Sequence, residues 1–381
     1  MSGDAPRDPS RRALWAARLS RPALTRLGLG LAVGAAGGAA AEAAGVPLAW
    51  MLGAMALCMI LRLAGAPLEV PMWFRTLFMG LIGLFLGESF GQADAAQLAR
   101  WPLTLALAMI YVPVAGALCF WLFVGLRAFP RATALLCALP GGLTAVAMFA
   151  EQAGGDERRV ALFHALRVAF VVLIAPVIAF VWLGLPKPTD EIFAEGGVLT
   201  AGDAALLGAV SLACAWGVAR AGWPLPYLMG PLIASALLRF PGLIEGGLPG
   251  WLVEVALLVS GASIGSRFHG VGWRFFGAVA MWTALGTLLL MTVSLVFAWA
   301  VSAGLGVNLF AALLAYAPGG VAEMSLIALA IDADPAFVAT HHMARIFAIL
   351  FALPFIAGFL QRLLAEDPDG RGPPPASRPP T

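Results

Sequence analysis

Long unbroken runs of apolar residues dominate the chain, with polar positions falling between the runs rather than alternating inside them. Residues 102–126 contain no charged residue, and 278–331 contain only Glu323. A helix crossing the hydrocarbon core of a bilayer needs about 20 mostly apolar residues, whereas a membrane strand alternates over about ten. Backbone groups in lipid find no water, so spanning segments are helices or closed barrels, and continuous runs select helices. The pattern predicts helices near 27–44, 47–64, 73–90, 102–125, 132–152, 160–184, 203–220, 224–240, 250–268, 278–303, 308–331 and 337–362. The polar stretch PKPTDEIFAEGG at 186–197 is the longest internal interruption and reads as a linker between halves.

The halves resemble each other. The segment LPGGLTAVAMFAEQAGGDERRVALFHALR at 139–167 is answered by APGGVAEMSLIALAIDADPAFVATHHMAR at 317–345. One offset of 178 residues aligns Pro140, Gly141 and Gly142 with Pro318, Gly319 and Gly320. It also aligns Asp156 with Asp334, His164 with His342, Arg167 with Arg345 and Pro176 with Pro354, without a gap. Upstream, Gly83 and Gly87 fall on Gly261 and Gly265. An offset of 177 pairs VPLAWMLG at 46–53 with WPLPYLMG at 223–230, and Arg62 with Arg239. Apolar residues coincide easily by chance, but Pro, His, Arg and Asp do not. The expected fold is therefore all-α: a polytopic transmembrane helical bundle of two tandem homologous repeats, about 10–12 membrane segments, with helices broken at PGG. The repeats are expected over 27–184 and 203–362, joined by a linker at 185–202. A basic cytoplasmic tail is expected over 1–26 and a disordered, Pro-rich one over 363–381.

Composition agrees. The chain has 381 residues, of which 61% are hydrophobic and 12% charged, against about 45–50% and about 25% in soluble domains. The net charge of +2 favours no nucleic-acid partner. Cys58, Cys119, Cys137 and Cys214 lie inside apolar runs and read as small packing residues rather than disulfides. Six arginines precede the first apolar run, which places that side in the cytoplasm by the positive-inside rule. Trp50, Trp73, Trp101 and Trp273 stand near predicted helix ends, where an interfacial belt would put them.

The candidate chemistry sits in the repeated element. Pro lacks an N–H, and paired Gly permits unusual backbone angles and close approach, so each PGG is expected to interrupt or start a helix. A helix start carries partial positive charge that attracts anions. Residues three apart share a helix face, so His164 projects with Arg167 and His342 with Arg345. Ionisable groups inside membrane spans are costly and commonly mark a pathway or a partner; the alternative is an Arg that snorkels to the headgroups. Glu323 follows the second PGG by one turn, where the first half has Ala145. It is expected to favour the helix start, to hold a cation or proton, or to pair with Arg345. Gly30, Gly34 and Gly38, like Gly83, Gly87 and Gly91, are four apart and read as close helix packing.

The two PGG…H-x-x-R segments, with the VPLAWMLG-like opening of each half, resemble the duplicated AbrB membrane protein family of Gram-negative bacteria. The small DNA-binding transition-state regulator of Bacillus shares only the name. The resemblance covers about 27–362 and implies a duplicated membrane unit. It brings two labels, regulator of gene expression and ammonia monooxygenase. Four histidines in three places give no metal-ligand spacing of the kind an oxygenase needs, and no helix-turn-helix or extended basic face supports direct DNA binding. The expected function is a permease or exporter of a small anionic or zwitterionic organic solute in the inner membrane, not an enzyme and without cofactor or metal. The expected substrate-binding set is Pro140, Gly141, Gly142, His164, Arg167, Pro318, Gly319, Gly320, Glu323, His342 and Arg345. The alternative is a membrane-bound sensor that affects gene expression indirectly. Expected partners are a small-molecule solute and membrane lipid, with a homo-oligomer left open.

Overall fold

The computed structural model describes residues 20–91, 98–140, 146, 150, 154–182, 184, 199–244, 246–331 and 333–365. Gly141, Gly142 and Glu151 lie outside these residues, as do 1–19 and 366–381; of the expected tails, 21–26 already belong to the first helix and 363–365 to the last. The described residues form helices and no β-strand. In chain order these are α1 (Arg21–Ala43), α2 (Ala49–Leu63), α3 (Met72–Gly91), α4 (Trp101–Gly125), α5 (Arg131–Ala138) and α6 (Glu157–Val177). They continue as α7 (Ala201–Arg220), α8 (Pro226–Arg239), α9 (Trp251–Gly265), α10 (Trp273–Leu305), α11 (Leu309–Tyr316), α12 (Val321–Ala330) and α13 (Pro335–Ala365).

Among the described residues six helical spans are long and apolar enough to cross a membrane: Arg21–Ala43, Trp101–Gly125, Glu157–Phe180, Ala201–Arg220, Trp273–Leu305 and Pro335–Ala352. α2, α9 and α12 are shorter apolar helices. Large apolar side chains such as Leu212, Trp216, Trp299 and Phe351 stand exposed on the outside. Such a surface is a liability in water and the expected one in lipid, so the chain is a helical membrane protein. One apolar core draws on both halves, from Met51, Leu86, Phe123 and Phe163 to Leu228, Ile264, Leu290 and Phe337.

The pattern anticipates single helices over 132–152 and 308–331. In the second case the chain breaks instead: α11 stops at Tyr316, Ala317 is extended, and α12 restarts at Val321. Pro318 and the two glycines are the cause, since Pro cannot donate to the carbonyl one turn back. In the first half α5 stops at Ala138, and Leu139 is extended.

Glycines let helices from opposite halves touch. A Cβ on Gly83 would meet the Leu228 carbonyl, and one on Gly87 the Leu232 carbonyl and the Ser235 side chain. A Cβ on Gly261 would meet the Met51 carbonyl, and one on Gly265 the Met55 carbonyl and Cys58. α3 thus packs on α8 as α9 packs on α2, through residues related by the offsets of the sequence. α1 and α2 approach through Gly37 and Gly53 in the same manner. The turns before α2 and α8 match as well: Leu48 and Leu225 both take left-handed angles, φ 51 and φ 52, which cost a branched residue about 1–2 kcal/mol. The caps of α6 and α13 also agree, with Asp156 accepting from the Arg159 amide and Asp334 from the Phe337 amide.

These contacts carry a prediction. Gly83→Leu or Gly261→Leu pushes a side chain into a neighbouring carbonyl, and overpacking costs about 1–3 kcal/mol or more. Gly208 has nothing within 4 Å of its would-be Cβ, so Gly208→Leu is the control. Thermal unfolding in detergent should show both core variants melting well below wild type and the control close to it. Equal melting of all three would mean that the helices are not held this closely.

Candidate functional site

A broken helix leaves its last carbonyls without amide partners, and in lipid they must be satisfied by side chains. Arg345 on α13 supplies them at the second break. Its guanidinium donates to the Ala317 carbonyl at 2.6 Å and to the Gly319 carbonyl at 3.1 Å, with a longer approach of 3.5 Å to that of Tyr316. It also lies 2.7 Å from Nδ1 of His342. Because a guanidinium only donates, Nδ1 of His342 is the acceptor, so the imidazole proton is on Nε2. That proton meets the Leu314 carbonyl at 2.8 Å. His342 therefore has both ring nitrogens engaged and is held as the neutral imidazole.

The first break repeats part of this. Arg167 on α6 donates to the Leu139 carbonyl at 2.6 Å, and Nε2 of His164 lies 3.0 Å from the Leu136 carbonyl. Each partner is 178 residues from its counterpart: Leu136 and Leu314, Leu139 and Ala317. The third contact differs, since Nδ1 of His164 has no partner among the described residues. Nε of Arg167 and Nε of Arg345 are likewise buried without a partner.

Both guanidiniums are interior, at 2% exposure for Arg167 and 3% for Arg345, so neither snorkels. They lie within electrostatic reach of each other and of Tyr111. No carboxylate forms an ion pair with either among the described residues. The negative ends of α5 and α11 offset part of that charge.

Glu323 does not take the partnership expected for it with Arg345. Its carboxylate bonds Arg75 of α3 at 2.8 Å, with the two side chains 2% and 15% exposed. Arg267, just past α9, is within electrostatic reach of both. The carboxylate folds back against Gly320, where a Cβ would collide with it. It thus sits at the positive start of α12, and the seat that the sequence offers to a solute anion is filled from within. Glu88 is likewise paired, 3.5 Å from Arg239, while Glu42 is exposed.

Pro318, Gly319 and Gly320 are thereby assembled with His342 and Arg345, and Pro140 follows the carbonyl that Arg167 holds. Both PGG and H-x-x-R elements fall inside the match to the family model described as "Transition state regulatory protein AbrB", which covers residues 50–361. The chain belongs to the AbrB family. It is similar to "Putative regulator AbrB" of Escherichia coli (strain K12), 27% identical over 319 residues, which are 83% of this chain and 90% of that protein. It is also similar to "Uncharacterized protein YhjN" of Bacillus subtilis (strain 168), 26% identical over 364 residues, 89% and 94% of the two chains. The apolar helices of this chain set it apart from the DNA-binding regulator of the same name.

One polar network escaped the sequence reading. The Tyr316 hydroxyl donates to the Thr104 carbonyl at 2.7 Å, and Nε2 of His341 lies 2.9 Å from the Thr104 hydroxyl. Ser294 reaches the Tyr316 carbonyl at 3.1 Å and the Tyr111 hydroxyl at 3.0 Å. At the 178-residue offset these positions hold Trp282, Leu289, Gly116, Ala138 and Phe163, all apolar or bare. The network pins the second break to α4 and α10, and nothing in the first half answers it. The scarcity of tyrosine, 3 in the chain, was the available signal, since Tyr111 and Tyr316 both lie deep in apolar runs. Arg75 was also visible as the one charge in 72–87. Trp101, expected at an interface, is buried edge-on against Phe337 with ring centroids 6.0 Å apart.

Proposed function

We propose that this AbrB-family protein is a permease or exporter of a small organic anion. The observation that carries the reading is the pair of buried guanidiniums, Arg167 and Arg345, which face no carboxylate among the described residues. Stripping a charge of water costs several kcal/mol unless a partner offsets it. Helix-end carbonyls supply partial charges only, so a solute carboxylate between the two arginines completes the balance. Broken helices whose ends meet near the membrane centre are the usual ground for such sites in transporters. The recurrence of the Arg and His contacts at one offset supports a duplicated unit enclosing the site. Four arginines ahead of α1, with Arg21 and Arg26 in its first turns, orient that end to the cytoplasm of a bacterial inner membrane.

Both ring nitrogens of His342 are committed, so His342 relays no proton. The coupling ion, if the carrier uses one, acts elsewhere. The rival reading is a sensor that regulates through a partner, favoured by the name of the Escherichia coli relative.

Reconstitution into liposomes separates the two. Protein loaded with a panel of unlabelled monocarboxylates and dicarboxylates should exchange them for the labelled acid outside, and Arg167→Gln should lose at least tenfold in rate, the share of one charge-assisted hydrogen bond. Binding of an acid without any exchange would favour the sensor. Neither binding nor exchange would remove the organic anion.

A further inference from the structure

The two H-x-x-R copies share a sequence but not a state, and the difference locates the solute. At His342 the Nδ1 lone pair is taken by the Arg345 guanidinium at 2.7 Å. At His164 the corresponding Nδ1 is buried with no partner among the described residues, although the ring is 0% exposed. Its other nitrogen is 3.0 Å from the Leu136 carbonyl, which cannot donate, so Nε2 carries the proton and Nδ1 is an acceptor. Three residues on, and on the same face of α6, Arg167 presents an Nε–H that also lacks a partner. The first copy thus holds one buried acceptor and one buried donor without a partner among the described residues, on one face of α6. The second copy retains only the donor at Arg345.

An unsatisfied buried polar atom is uncommon in a native protein and calls for a role. The charges point the same way. In the second half Glu323 fills the start of α12, and Ala145 stands at the matching position of the first half, so that position brings no acid.

Resting on the organic-anion reading, we infer that His164 and Arg167 form the recognition face, and that the solute is a small α-hydroxy acid. The carboxylate accepts from Arg167, and the hydroxyl on the neighbouring carbon donates to Nδ1 of His164. A plain carboxylate would leave the imidazole acceptor empty. An α-amino acid would satisfy it, but would bring an ammonium group next to two guanidiniums. His342 and Arg345 then serve the fold, each closing on the other and on the second break.

The test pairs acids that differ in one hydroxyl: glycolate with acetate, lactate with propionate, malate with succinate, and alanine alongside. Purified protein in detergent is titrated with each while thermal unfolding is followed, since a ligand of the native state stabilises it by mass action. At least one hydroxy acid should bind about tenfold more tightly than its deoxy partner, the share of one hydrogen bond. His164→Gln should erase that preference, and His342→Gln, which removes the equivalent carbonyl contact at the other break, should keep it. Equal protection by hydroxy and deoxy acids in wild-type protein overturns the inference and leaves the anion reading standing. Alanine binding as tightly as lactate overturns the hydroxyl assignment. No protection by any acid overturns the anion reading itself. Because the wild-type pairs decide alone, misfolding of a variant does not spoil the test.

Discussion

Replacing Arg345 by Ala is expected to remove most of the folded protein, more than any exposed arginine would. The side chain donates to the Ala317 and Gly319 carbonyls and to Nδ1 of His342, all in the interior. Losing one partner of a buried polar group costs about 1–3 kcal/mol, and three such groups lose theirs together. The sum is comparable with the whole net stability of a typical domain, about 5–15 kcal/mol. Arg345→Lys should rank between the two, because an ammonium can reach one or two carbonyls but cannot span all three acceptors as a planar fork does. The measurement is thermal unfolding of purified protein in detergent, with Arg127→Ala as an exposed comparison. If Arg345→Ala melts beside wild type, the guanidinium is not what closes the break, and the account of H-x-x-R as a cap for a broken helix fails.

That account explains why the element was readable and its role was not. Runs of apolar residues without alternation announced membrane helices, and PGG announced a discontinuity, because both are local consequences of backbone chemistry. The place where α11 stops follows from Pro318 and the two glycines after it. What H-x-x-R faces is a different kind of question. His342 and Arg345 reach carbonyls 28 residues away, and the same four-residue pattern would look no different if it faced a solute. Glu323 is the clearer case. Its partner Arg75 lies 248 residues away, and neither helical spacing nor charge counting connects them. The left-handed turns at Leu48 and Leu225 were also hidden, since leucine has no preference for that region and packing imposes it. The Tyr111–Ser294–Tyr316 network consists of residues that read singly as ordinary core, and only assembly reveals them as polar.

The pair formed by Glu323 and Arg75 should show strong coupling in a double-mutant cycle. Removing one member of a buried pair is expected to cost about 3–5 kcal/mol, because the other is left uncompensated. Arg75→Met strands a carboxylate that is 2% exposed, helped only by Arg267 and the start of α12. Glu323→Gln keeps the shape but leaves Arg75 and Arg267 as neighbours of like charge. The double variant removes the carboxylate and one of the two arginines together, so it should cost less than the singles combined by more than about 1 kcal/mol, as contacting residues do. Additive losses in detergent melts would show that the two side chains act independently and that their 2.8 Å contact contributes little. The same cycle bears on function. Glu323 holds the positive helix start that an anionic solute would otherwise seek, so Glu323→Gln frees that seat beside two arginines. The variant should then bind small carboxylates at a second place that needs no Arg167, and that new binding should survive Arg167→Gln. Protection by carboxylates that disappears entirely with Arg167→Gln, even in the Glu323→Gln background, would mean that the start of α12 attracts no anion when its own acid is gone.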